Sequence, residues 1–190
     1  MLGDDVVDLA DPEAAEGALH PRFDARAFAP CERAALARAS DRHALRWTLW
    51  ASKEAAYKAA RRRDAGVRFH PREFAVEGEV VTHASGRYRV LLTRSANAVH
   101  AVAMSEDEDA GFVSGCERLA PDESPGAAAR GLAIRAAAKL LGCAPGELSV
   151  ATSARVPHLL RSGAPTGLAL SLSHHGGFAG FALAKGEELL

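Results

Sequence analysis

Glu54 and Lys58 stand four residues apart in Trp50-Ala51-Ser52-Lys53-Glu54-Ala55-Ala56-Tyr57-Lys58, a run of strong helix formers. Helical residues turn by about 100° each, so this acid and this base share one face, one turn apart. Lys53 points elsewhere. Trp50 and Tyr57, seven apart, form an apolar stripe beside that face, which packs on a core and holds the carboxylate and the ammonium at fixed height. Taken alone, the pair reads as a surface ion pair. Two other stretches carry compatible chemistry. Asp5 and Asp8 lie near the start of the chain, and Ser171-Leu172-Ser173-His174 lies near its end. Carboxylates from a strand end and a helix can together hold a hard cation, and Mg²⁺ commonly combines one or two carboxylates with substrate phosphates and water. Taken alone, Asp5 and Asp8 read as solvated strand-end acids and the Ser-His pair as a turn.

The elements that must position these groups follow from local pattern. Gly3-Asp4-Asp5-Val6-Val7-Asp8-Leu9 reads as a short strand. His20 to Ala29 reads as a loop, Pro30 opens a short helix, and Ser40-Asp41 caps a long helix that ends in Arg61-Arg62-Arg63 before Gly66. Cations in a last turn suit the helix dipole, which is the simpler account of that triplet beside anion binding. Strands follow at Phe74–Val76, Glu79–Thr82, Arg87–Leu92 and Ala98–Met104, joined by turn-prone residues as an antiparallel meander. Residues 105–126, with the acidic run Glu106-Asp107-Glu108-Asp109, read as a linker between a first half, 1–104, and a second, 127–190. The acidic run itself reads as solvated surface. The second half opens with an alanine-rich helix from Ala127 to Leu141 closed by Gly142, then a strand at Leu148–Thr152, a turn at Arg155–His158, and strand, glycine loop and strand from Gly167 to Ala184.

A weak repeat relates Leu92–Met104 to Leu170–Leu183, and each half sets a helix before its strands. The expected fold is therefore α+β: two similar halves, each with helices on an antiparallel sheet, related by a pseudo-twofold axis.

Composition narrows the partners. With 48% hydrophobic residues in 190, the chain can bury one good core or two small ones. Its 23 basic and 24 acidic residues leave a formal net charge of −1, so no nucleic-acid partner is expected, and a binder using Arg61-Arg62-Arg63 is disfavoured. Cys31, Cys116 and Cys143 have neither disulfide nor zinc spacing, which points to a reducing compartment. The acidic N-terminus and the lack of a long apolar run point to a soluble cytoplasmic protein with no membrane partner.

In order and spacing the three stretches resemble the 4′-phosphopantetheinyl transferase superfamily. Its G-x-D strand with a nearby acid is matched by Gly3 to Asp8, its W-x-x-K-E-A-x-x-K helix by Trp50 to Lys58 at every specified position, and its S-x-S-H by Ser171 to His174. The G-[KR]-P-like turn is matched loosely by Ala154-Arg155-Val156-Pro157. Strand and helix come first, as in the short holo-acyl-carrier-protein synthases, at nearly the length of the two-half members. The departures are Asp8 for glutamate, Val7 where long members place a further acid, Ala154 for glycine, and His175 for a small residue.

The resemblance implies transfer of 4′-phosphopantetheine from coenzyme A to a serine of an acyl or peptidyl carrier protein, with Mg²⁺. It implies Asp5 and Glu54 as metal ligands, with Asp8 or water completing the set, and Glu54 and Lys58 as catalytic residues. For coenzyme A it implies Ser173, His174, Lys58, Arg155 and Lys53. A non-catalytic coenzyme A or carrier-protein binding module of the same fold is the alternative.

Overall fold

The computed structural model describes residues 1–108 and 111–185; Asp109 of the acidic run and residues 186–190 of the second half lie outside the described residues. The first half runs β1 (Leu2–Asp8), α1 (Phe23–Ala27), α2 (Pro30–Arg38), α3 (Arg42–Arg63), β2 (Ala75–Glu77), β3 (Val80–His83), β4 (Gly86–Arg94) and β5 (Ala98–Ser105). The second runs β6 (Phe112–Arg118), α4 (Pro125–Leu141), β7 (Leu148–Ser153), β8 (Val156–Arg161), β9 (Ala164–His175) and β10 (Phe178–Lys185). Their antiparallel sheets are ordered β1-β5-β4-β3-β2 and β6-β10-β9-β8-β7. The second order repeats the first strand for strand, and each half sends its long helix between its first and second strands. The fold is thus the expected α+β pair of similar halves.

Three local readings need correction. The segment 105–126 is not a plain linker, because it supplies β6, an edge strand of the second sheet. Gly115 weakens the strand signal there for a tertiary reason: a Cβ on it would lie 2.8 Å from Cε1 of Phe181, its cross-strand partner. The turn expected at Arg155–His158 is confined to Ala154 and Arg155, both at positive φ, and β8 begins at Val156. Pro157 fits this strand because pairing with β9 begins only at His158. The loop expected at His20–Ala29 contains the short helix α1.

Asp41 caps α3 by accepting the Ala44 N–H at 2.8 Å. Ala51, Ala55 and Ala59 of α3 are fully buried and bring it down on β1 and β5. The approach is so close that a Cβ on Gly3 would sit 2.1 Å from the Ala55 carbonyl oxygen and 2.6 Å from the Ala59 nitrogen. In the second half Ala133, Ala137 and Ala138 of α4 pack on Leu170, Phe181 and Leu183. No helix among the described residues is long and apolar enough to cross a membrane.

The halves meet along the open edge of β1. Leu9 N–H donates to Asn97 carbonyl, so odd-numbered amides here point to β5 and even-numbered ones outward. Side chains of β9 receive two of the outward amides: Ser171 Oγ accepts from Asp4 at 2.9 Å and His175 Nδ1 accepts from Asp8 at 3.2 Å. An exposed strand edge is thereby covered by the other half. Small apolar clusters, Leu2 and Val102 with Ala182 and Ala184, and Val6 and Ala98 with Phe178, flank these contacts.

Candidate functional site

The pleat of β1 turns Asp5 toward α3 and Asp4 toward the second half. Lys58 Nζ donates to Asp5 Oδ1 at 2.9 Å and to the Asp4 carbonyl oxygen at 2.8 Å. The pairing of Lys58 is therefore with the strand, not the simple helical ion pair with Glu54 that spacing suggests. Asp5 is 8% exposed and the Lys58 side chain 29%, so the cluster borders solvent. Glu54 stands one turn earlier on the same helical face.

Electrostatics bind the three groups together. Burial pushes the Glu54 carboxyl up to about 7, the Asp5 charge adds to that, and Lys58 opposes it. Burial likewise raises Asp5 against the pull of Lys58. For Lys58 burial works against the charge, but Asp5, Asp4 and Glu54 outweigh it and hold the ammonium above its ordinary value. Two desolvated carboxylates that oppose each other's ionisation, with oxygen donors only, fit a hard divalent cation. Asp5 and Glu54 are the residues that would hold it.

A comparison with protein-family models matches residues 1–113 to the 4′-phosphopantetheinyl transferase superfamily, more than half of the chain, and the match contains both β1 and α3. The chain belongs to this superfamily. No curated protein and no solved structure matches it. Phosphopantetheinyl transfer is the class of activity that membership supports.

The remaining superfamily motif residues are distributed unevenly. Asp8 does not join Asp5: three residues along a strand they face opposite ways, and the Asp8 carboxylate accepts from Ala10 N–H and Gly177 N–H, both at 2.9 Å. Lys53 is also elsewhere. Its side chain is fully buried, and Nζ donates to Glu32 Oε2 at 2.8 Å, the Phe74 carbonyl at 2.6 Å and the Pro71 carbonyl at 3.0 Å. It therefore ties α3 to α2 instead of facing a phosphate. Ser173 is 4% exposed and points at Asp4, whereas His174, on the opposite face of β9, is exposed. The serine and the histidine of that motif are thus separated by the pleat. Arg155 is exposed in the β7–β8 turn, beside the end of α3, where Arg61 donates to the Ala154 carbonyl at 3.5 Å and Arg62 to the Pro157 carbonyl at 3.4 Å. The arginine triplet so reaches the second half as well as closing its helix.

Sequence reasoning passed over Asp4 and His100. The Asp4 carboxylate is fully buried, with Oδ2 2.5 Å from Ser173 Oγ and 3.1 Å from His100 Nε2. Burial opposes its charge, but the bond from His100 and the Lys58 ammonium prevail, and its pKa lies below the ordinary carboxylate value. Asp4 is adjacent to a motif residue, which is the only signal a sequence offers for it. Asp11, Glu13 and His175 also gather, one ligand atom each within 4.8 Å. His175 Nδ1 already accepts the Asp8 N–H at 3.2 Å, so that nitrogen is engaged by β1.

Proposed function

We propose that this protein transfers 4′-phosphopantetheine from coenzyme A to a serine hydroxyl of an acyl or peptidyl carrier protein, releasing 3′,5′-ADP. The observation that carries this reading is the meeting of Asp5, Glu54 and Lys58 in one half-buried cluster where β1 and α3 adjoin. The serine oxygen forms the new bond to the phosphorus bearing pantetheine, and the bond from that phosphorus to the bridging oxygen of the pyrophosphate breaks. Asp5 and Glu54 would hold Mg²⁺, which would supply charge neutralisation on the pyrophosphate. Lys58 places a fixed cation beside the leaving phosphate, and its two bonds to β1 hold it there. Glu54, one turn from Lys58 on the same face of α3, is assigned to accept the serine proton, directly or through a water. Arg155, opposite the cationic end of α3, is assigned to the nucleotide end of coenzyme A. The three free cysteines suit the reducing cytoplasm in which we place the reaction.

Incubation with coenzyme A, Mg²⁺ and a panel of apo carrier proteins tests the reading. A carrier that gains the mass of one phosphopantetheine supports it. Measurable coenzyme A binding with no mass gain on any carrier favours the binding module instead.

A further inference from the structure

Asp4 occupies the unspecified position between the glycine and the aspartate of the strand motif, yet all its polar atoms but one are engaged. Its N–H donates to Ser171 Oγ at 2.9 Å, its carbonyl accepts from Lys58 Nζ at 2.8 Å, and Oδ2 accepts from Ser173 Oγ at 2.5 Å and His100 Nε2 at 3.1 Å. Only Oδ1 has no hydrogen-bond partner among the described residues. One residue thus touches the second half, β5 and the catalytic lysine.

We propose that Asp4 is a positioning residue of the transfer site: Ser173 and His100 clamp its carboxylate, and the clamp fixes Asp5 and Lys58 where the halves meet. Ser173 then acts through Asp4 and not on a phosphate of the substrate. The proposal rests on the transfer reading given above. Its physical basis is shared backbone. Lys58 Nζ is held by the carbonyl of Asp4 and the carboxylate of Asp5, so a shift of β1 at Asp4 moves both acceptors together. Ser173 is buried at 4% exposure, and its hydroxyl proton is directed to a carboxylate. The second half also reserves room for the clamp. A Cβ on Gly180 would lie 2.8 Å from Ser173 Oγ, 3.1 Å from His100 Nε2 and 3.2 Å from Asp4 Oδ2. The buried carboxylate between two donors on opposite sheets sets the register of β9 against β1, and the metal-side carboxylate is the next residue along the strand.

The test uses the full chain and the variants Ser173→Ala, Ser173→Thr, Asp4→Asn and the Asp4→Asn/Ser173→Ala double variant. Mn²⁺ binding is followed by electron paramagnetic resonance, and transfer kinetics are measured with coenzyme A and with 3′-dephospho-coenzyme A. Ser173→Ala and Asp4→Asn are each expected to weaken Mn²⁺ about 10-fold, as loss of an outer-shell partner does. Each should lower kcat/KM by one common factor for both substrates, the double variant should be no worse than either single, and Ser173→Thr should retain both properties. A Ser173→Ala variant that raises KM for coenzyme A alone, with Mn²⁺ binding unchanged, overturns the proposal and makes Ser173 a phosphate ligand. Fully additive losses overturn it too. If Asp4→Asn does not fold, the contrast of Ser173→Ala with Ser173→Thr decides. Wild-type protein that binds Mn²⁺ but transfers nothing contradicts the transfer reading alone, whereas Mn²⁺ binding equal in wild type and both single variants contradicts the positioning role alone.

Discussion

Ser173 of the second half donates its hydroxyl to Asp4 of the first at 2.5 Å, and Gly180 is the residue that leaves space for this bond. Gly180→Ala would press a methyl onto Ser173 Oγ, His100 Nε2 and Asp4 Oδ2 at once. We expect a loss of about 1–3 kcal/mol in urea unfolding, the usual cost of overpacking. A change below the error of that titration contradicts the packing described.

Gly3→Ala should be worse, because the clash is with backbone. The Ala55 carbonyl and the Ala59 amide nitrogen belong to the middle of α3 and cannot move aside without separating helix from strand. The expected result is a protein that loses Mn²⁺ binding and melts well below the wild type. Unchanged melting would contradict the observed approach of β1 to α3.

Lys53→Met leaves Glu32 buried without its cation, although Ala29 and Val76 amides still donate to it. Breaking a buried pair this way costs about 3–5 kcal/mol, measurable by denaturant unfolding. KM for coenzyme A should not change in the folded protein. A raised KM with stability intact would put this ammonium on a substrate phosphate.

Glu54 gives a pH dependence of definite sign. Its ordinary value is 4.5 and its folded value about 7, so between these the native state holds the proton more tightly than the unfolded chain. Its contribution to stability therefore falls as pH rises through this window and is fully unfavourable above about 7. Glu54→Gln should stabilise the metal-free protein at pH 8 by on the order of 1 kcal/mol in urea unfolding, and leave its stability unchanged near pH 4. It should also abolish stabilisation by Mg²⁺, which in the wild type grows from pH 6 to pH 8. A Glu54→Gln protein that is less stable at pH 8, or still stabilised by Mg²⁺, contradicts the assignment.

How much of this was legible beforehand depended on how local the cause was. The α3 helix, its Asp41 cap and the shared face of Glu54 and Lys58 follow from near neighbours in sequence, and the structure contains them all. The separate face of Lys53 was legible too, but not its destination, since Glu32 lies on another helix. β6 was hidden by Gly115, whose reason is Phe181, far along the chain but opposite it on the adjacent strand. β8 was hidden by Pro157, which is tolerated only because pairing with β9 starts one residue later. Asp8 resembles a metal ligand in spacing, yet strand alternation turns it from Asp5 toward the β9–β10 turn. Asp4 and His100 meet Ser173 only once the halves are assembled.

The most direct test of the central claim is a crystal structure with Mg²⁺ and coenzyme A. We expect the cation on the carboxylates of Asp5 and Glu54, and the pyrophosphate within hydrogen-bonding distance of Lys58 Nζ. Coenzyme A bound elsewhere, such as the cavity of about 490 Å³ lined by Arg26, His70 and Arg72, with Asp5 and Glu54 untouched, would contradict the account.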